Sequence, residues 1–236
     1  DWGHPDFLDE NGRSRILFIW DQTVTIPGRS PPKYGYGSEW SREEIEAGLC
    51  PEIDTTGHGT HVAGIAAGAM GVAPGAYIIF VKSHLFDDQI VDGLDYILRK
   101  AEELGMPVVV NMSFGGHKGP HDGRALLDRA VDELMAGLPG RVAASSAGND
   151  GDDLIHAGGI LPPPSGGRYP YLPFGTIPDD DSAHIEIWYS SNGRISVRLL
   201  LPDEGGRSDH GIGWVKPGDN VTFEVERGPL RGATVH

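Results

Sequence analysis

The run Asp54-Thr55-Thr56-Gly57-His58-Gly59-Thr60-His61-Val62-Ala63-Gly64 sets a histidine at the first turn of a predicted helix, behind a polar turn. An imidazole with its ordinary pKa of about 6.5 can both take and return a proton near neutrality, so His58 is placed to move protons. Taken alone, a histidine is more often a buried residue satisfied by hydrogen bonds; the surrounding residues decide this case. Small residues follow at Gly64, Ala66, Ala67, Gly68 and Ala69 and let neighbouring backbone come close, so the helix is expected to be buried. A second chemistry would make His58 and His61 a metal pair. Zinc helices of that kind space their histidines i, i+4 around a glutamate base; here the spacing is i, i+3 and Gly59 stands where the glutamate would.

Two further clusters could serve an acyl transfer. Ser145-Ser146-Ala147-Gly148-Asn149-Asp150-Gly151 follows an apolar strand. The Asn149 amide, at a strand end, can donate a hydrogen bond to a developing oxyanion. The same residues also make a plain turn, since Asn and Gly dominate turns. Val110-Asn111-Met112-Ser113-Phe114-Gly115-Gly116 is a strand ending in small residues. Its backbone edge can pair with an extended peptide, leaving pockets to read alternate side chains. An ordinary buried strand with a glycine turn has the same sequence.

The elements that must position these groups follow from periodicity. Arg15 to Trp20 is a short strand-like run, followed by a Pro/Gly-rich loop from Thr25 to about Trp40. Ser41 and Glu44 form a capping box, which predicts a helix to about Leu49. The histidine helix is expected over 58–70, a buried strand over 76–82 and an amphipathic helix over 89–104. A strand over 107–112, a helix over 124–135 and a strand over 141–146 complete the alternation. Strands alternating with helices imply a parallel sheet covered on both faces. After Gly151 the pattern changes. Ile185–Tyr189, Ile195–Leu199 and Val221–Val225 alternate at period 2, with an Asn192-Gly193 hairpin signal between the first two. The expected domains are an α/β part over 1–151 and an antiparallel β module over 152–236.

Composition bounds the function. The chain has 236 residues, 39% of them hydrophobic, and 35 glycines, which suits a folded domain rich in tight turns. The net charge of −15 repels phosphate backbones, so nucleic acid is not an expected partner. No apolar run approaches the roughly 18 residues of a membrane span, so no membrane partner is expected either. Cys50 is the only cysteine, which excludes an intrachain disulfide. The start Asp1-Trp2-Gly3, with neither Met nor a basic leader, suggests a mature or trimmed chain.

In this order the three clusters resemble the subtilisin-like serine proteases, the subtilases. Gly71-Val72-Ala73-Pro74-Gly75-Ala76 and the following Val81-Lys82 resemble the strand after the histidine helix of that family. The resemblance covers residues 54–151 and implies a three-layer parallel sheet with helices on both faces. It implies His58 as general base, Asn149 as oxyanion donor, and Ser113, Phe114 and Gly115 as backbone that pairs with substrate. The implied reaction is peptide hydrolysis through an acyl-enzyme, with a peptide or protein as substrate. Calcium is a family habit, and Asp6 matches a position that ligates it in some members. No further ligands can be placed, so no metal or other cofactor is assigned.

Subtilases carry their triad in the order Asp, His, Ser. Asp21 ends a strand and is tempting as the acid. Asp1-Trp2-Gly3-His4-Pro5-Asp6-Phe7, however, resembles the family stretch that follows the catalytic Asp, which places the acid just upstream of Asp1. No serine from Ser165 onward has the family's Gly-Thr-Ser-Met-Ala-like context. The chain therefore reads as an internal fragment with one triad member, completed by other segments of the same parent protein. Trp20-Asp21-Gln22-Thr23, Gly35-Tyr36-Gly37, Ser41–Ile45 and His156-Ala157-Gly158-Gly159 resemble the Csp-like germination proteases. In those, a jelly-roll domain interrupts the catalytic domain after the oxyanion Asn, which the β-rich tail fits. That subgroup implies a bacterial protein, secreted or spore-associated. It also includes non-catalytic pseudoproteases, so a peptide-binding relative without activity is the alternative.

Overall fold

β-branched and aromatic residues make Ile16–Asp21 a strand (β1) whose Ile16, Ile19 and Trp20 are fully buried. The computed structural model describes residues 1–137, 139–153, 155–156, 158, 182–183, 186–188, 200–201, 210–211, 223–224 and 234–235. They fall into two compact units. One is Asp1–Gly116 with Gly123–Gly148; the other is His117–Asp122 with Asn149–His236.

In the first unit β1 pairs antiparallel with Ser38–Ser41 (β2), Trp20 opposite Glu39. On its other edge it pairs parallel with Ile78–Lys82 (β3), Asp21 opposite Lys82. A second sheet joins Val108–Met112 (β4) and Arg141–Ser145 (β5) in parallel, Met112 opposite Ser145. The helices are Arg42–Glu46 (α1), His58–Ala67 (α2), Asp87–Leu104 (α3) and Leu126–Met135 (α4). β3-α3-β4 and β4-α4-β5 are the strand–helix–strand units that the alternation predicts. The single sheet is not what is seen. Strand orders are β2-β1-β3 and β4-β5, so among the described residues β3 and β4 each pair along one edge only.

One core cluster holds Phe7, Ile16, Ile19, Trp40, Ile45, Cys50 and Ile78. Another packs Leu94 and Leu98 of α3 on Val110 of β4, with Val131 and Leu134 of α4 beside them. Val109 and Val142 on the opposite face of β4–β5 stay exposed. An aromatic cluster fixes the Pro/Gly-rich loop. The Trp20 ring lies 4.6 Å from Tyr34, 5.3 Å from Tyr36 and 4.9 Å from Tyr96. Each tyrosine hydroxyl donates to a carboxylate: Tyr34 to Asp95 at 2.5 Å, Tyr36 to Asp92 at 3.0 Å and Tyr96 to Glu39 at 2.9 Å.

Two local expectations need correction. The capping box forms, with the Ser41 N–H donating to Glu44 Oε2 at 3.0 Å, but the helix ends at Glu46 and not near Leu49. The end of the expected loop is strand β2, because pairing with β1 gives Ser38–Ser41 a partner that its polar sequence does not announce.

In the second unit Thr234–Val235 (β10) pairs parallel with Ser182–Ala183 (β6) and antiparallel with Phe223–Glu224 (β9). Leu200–Leu201 (β7) pairs antiparallel with His210–Gly211 (β8). The expected strand at 221–225 thus has its centre in β9. Glu186–Trp188, expected within a strand, lie outside any strand. Glu186 instead accepts from the Gly119 N–H at 2.7 Å and from Trp188 Nε1 at 3.0 Å. The expected strand at 195–199 and the Asn192-Gly193 turn fall outside the described residues. The jelly-roll form of the module therefore stays an expectation.

Candidate active site

His58 owes its place to the turn before it. Gly57 has φ +74°, a left-handed conformation that side chains resist, and from there His58 opens α2. Asp54 holds the turn together. Its carboxylate accepts from the Gly57 N–H at 2.8 Å, the Thr60 N–H at 2.8 Å and the Thr60 hydroxyl at 2.6 Å. It also accepts from the Thr56 N–H at 3.2 Å and the Thr56 hydroxyl at 3.3 Å. The Thr60 N–H is one of the orphan donors of the helix start, so Asp54 caps α2 from outside. Burial by itself would raise the Asp54 carboxyl. The hydrogen bonds from Thr60, Gly57 and Thr56 outweigh it and hold the group far below the usual carboxylate range. The segment before this turn is tied to β3, because Lys82 Nζ donates to Ile53 O at 2.7 Å and pairs with Glu52 at 3.0 Å.

The His58 ring is exposed, and among the described residues it makes no hydrogen bond. α2 is not buried as expected. Its small residues admit close contact on one side only, where Asp6 lies against Gly64 and Gly68, and Ile65 on another side is 58% exposed.

Ser113, Phe114 and Gly115 follow directly on β4. The Ser113 hydroxyl lies 3.0 Å from the Asn111 side-chain nitrogen. Ser146, just beyond β5, ties this segment down: its N–H donates to Met112 O at 3.2 Å and its hydroxyl to Phe114 O at 3.3 Å. Parallel pairing of β4 and β5 thus brings the ends of both strands out together. Ligand sites of open α/β sheets form at such carboxyl ends. Asn149 follows four residues after β5, is exposed, and belongs to the second unit, whereas His58 and Ser113–Gly115 belong to the first.

Asp21 is buried at the end of β1. Its carboxylate accepts from the Thr23 N–H at 2.8 Å and the Thr23 hydroxyl at 2.6 Å, so it serves a local turn. Sequence reasoning passed over two features. Leu85, after β3, has φ +62°, a strained value for a bulky side chain at a sheet's carboxyl end. His117 Nε2 lies 2.5 Å from Asp150 Oδ2, which joins segment 117–122 to the turn after Asn149. His117 and His121 carried no motif that would have flagged them, and His156 entered the sequence reading only within the His156–Gly159 stretch.

Among the described residues no three His, Cys, Asp or Glu side chains converge as a metal would require, and the Asp6 carboxylate is pressed against the glycines of α2. Among the described residues no helix is long and apolar enough to cross a membrane.

The chain is 38% identical over 110 residues to the subtilase-type proteinase psp3 of Schizosaccharomyces pombe, covering 43% of this chain and 23% of that protein. It is 33% identical over 114 residues to subtilisin E of Bacillus subtilis, covering 43% of this chain and 26% of that protein. The structure of the Clostridium perfringens CspB protease superposes with a TM-score of 0.56 at 30% identity, covering 65% of this chain and 35% of that one. The chain thus spans about a quarter to a third of the length of these relatives. The subtilase family model matches residues 4–172, which include the histidine turn, the end of β4 and Asn149. With that stretch accounted for, the chain belongs to the subtilase family.

Proposed function

We propose that this chain is the central part of a serine endopeptidase that hydrolyses peptide or protein substrates through an acyl-enzyme. Its acid and its nucleophilic serine would come from other segments of the same parent protein. The observation that carries the reading is the exposed imidazole of His58, which makes no hydrogen bond among the described residues, on a turn clamped by Asp54. In this mechanism His58 takes the proton of the attacking serine hydroxyl and returns it to the leaving amine. Asn149 donates to the oxyanion, and the backbone of Ser113–Gly115 pairs with the extended substrate. Loss of the Asn149 donor is expected to lower kcat roughly 100- to 1000-fold, a magnitude known from subtilisin itself.

The divided sheet supports the same reading. Among the described residues β3 and β4 are joined by α3 yet do not pair, and each leaves one edge without a partner, so a parallel strand seated between them would complete one sheet. A strand in that place would end on the side of the His58 turn, where an acid partner is needed. The insertion over 152–236 is the boundary that we assign to the β module.

Fluorophosphonate labelling tests the proposal. The natural protein should label at one serine, and labelling should fall to background in His58→Ala. The isolated 236-residue chain should not label. Serine labelling of the isolated chain that depends on His58 would overturn the split of the triad. A natural protein that never labels yet binds peptide would identify a non-catalytic relative.

A further inference from the structure

Arg15 is a buried cation that pairs with no anion among the described residues. The residue is 3% exposed. Its guanidinium faces main-chain carbonyls only: Nη2 donates to Asp6 O at 2.6 Å, Nη1 to Ala76 O at 2.9 Å and Nε to Leu8 O at 3.4 Å. Its own backbone works in the same place. The Arg15 N–H donates to Phe7 O at 2.7 Å, and Arg15 O accepts from the Ile78 N–H at 2.9 Å. Asp6 O takes a second donor, the Ala69 N–H at 3.0 Å. One residue thus joins the turn Pro5–Phe7 and the loop that leaves α2 through its side chain, and the start of β3 through its backbone.

Carbonyl oxygens converging on one positive centre are what a hard divalent cation also uses, with oxygens at about 2.3–2.6 Å. Here those oxygens are turned on a planar fork that is covalently attached and cannot lose its charge. A metal ion at the same carbonyls would meet a second buried positive charge. The Asp6 carboxylate, the natural anchor for a metal, is aimed at α2: a methyl group added to Gly68 would lie 2.4 Å from its Oδ2.

We infer that the Arg15 guanidinium is the resident cation of this junction, and that the end of the histidine helix is held in this chain without a divalent metal ion. The binding element is part of the sequence, so the junction does not depend on metal supply.

Hydrogen–deuterium exchange in the protein as it is naturally made reads the junction directly, without reference to activity. Peptides spanning 5–16 and 64–78 are followed with millimolar calcium and after treatment with a calcium chelator. Uptake should agree within twofold between the two conditions. In Arg15→Met, exchange at Ala69 and Ile78 should quicken tenfold or more. Arg15→Lys keeps the charge but loses the fork, and should quicken exchange to a smaller extent; it carries the test if Arg15→Met does not fold. Faster uptake in the unmodified protein on chelation, or unchanged uptake in both variants, would overturn the inference. Neither result bears on whether the protein is a protease.

Discussion

Asp54 carries more of the histidine turn than its place in the motif suggests. Five donors from Thr56, Gly57 and Thr60 converge on one carboxylate. Asp54→Ala leaves helix-start donors unpaired and should cost about 1–3 kcal/mol in denaturant unfolding. The group also makes stability depend on acid. Its folded pKa lies below its unfolded value near 4, so its contribution is full above about pH 4 and fades as pH falls below that. Unfolding measured between about pH 5 and pH 2 should therefore show a decline that Asp54→Asn flattens. The sequence showed a polar turn before His58. It did not show that Asp54 reaches Thr60 six residues on, because that reach exists only once Gly57 has reversed the chain.

At the scale of elements, α2 rests on the Pro5–Phe7 turn through Gly68. A methyl there would stand 2.4 Å from Asp6 Oδ2 and 2.5 Å from Gly64 O, and the second neighbour is backbone that cannot swing away. Gly68→Ala should destabilise by about 1–3 kcal/mol. Gly75→Ala is its control. Nothing lies within 4 Å of the added methyl and its φ is not left-handed, so it should be neutral or stabilise by up to about 1 kcal/mol. Thermal melts of the pair read the contrast. Periodicity made α3, α4, β3, β4 and β5 legible to within about two residues at each end, because their apolar faces pack where the pattern points. It missed β2, whose pairing partner lies some twenty residues away in sequence. It also overstated the burial of α2, since small residues permit close approach without saying on how many sides it occurs.

Across the first unit as a whole, Trp20 and its three tyrosines bind the 25–37 loop to α3 and β1. Burial, reinforced by the carboxylates of Asp95, Asp92 and Glu39, raises the hydroxyls of Tyr34, Tyr36 and Tyr96 far above their usual value of about 10. The unfolded chain sheds those protons first. Stability is therefore fully present below about pH 10 and is lost as pH rises beyond it, a slope that Tyr→Phe changes at positions 34 and 36 should lessen in alkaline denaturation curves. Sequence showed these residues as an aromatic-bearing loop and could not show that their hydroxyls converge on α3. The sequence named His58, Ser113–Gly115 and Asn149 as candidates one by one, but the division of the strands was not legible, because pairing decides which edges find a partner. That division has a practical price. Among the described residues two strand edges have no partner, and with Val109 71% and Val142 53% exposed on one sheet face they are a template for other chains. Produced on its own, this stretch should collect in inclusion bodies and draw on chaperones, and replacing Val109 and Val142 with lysine should raise its soluble yield.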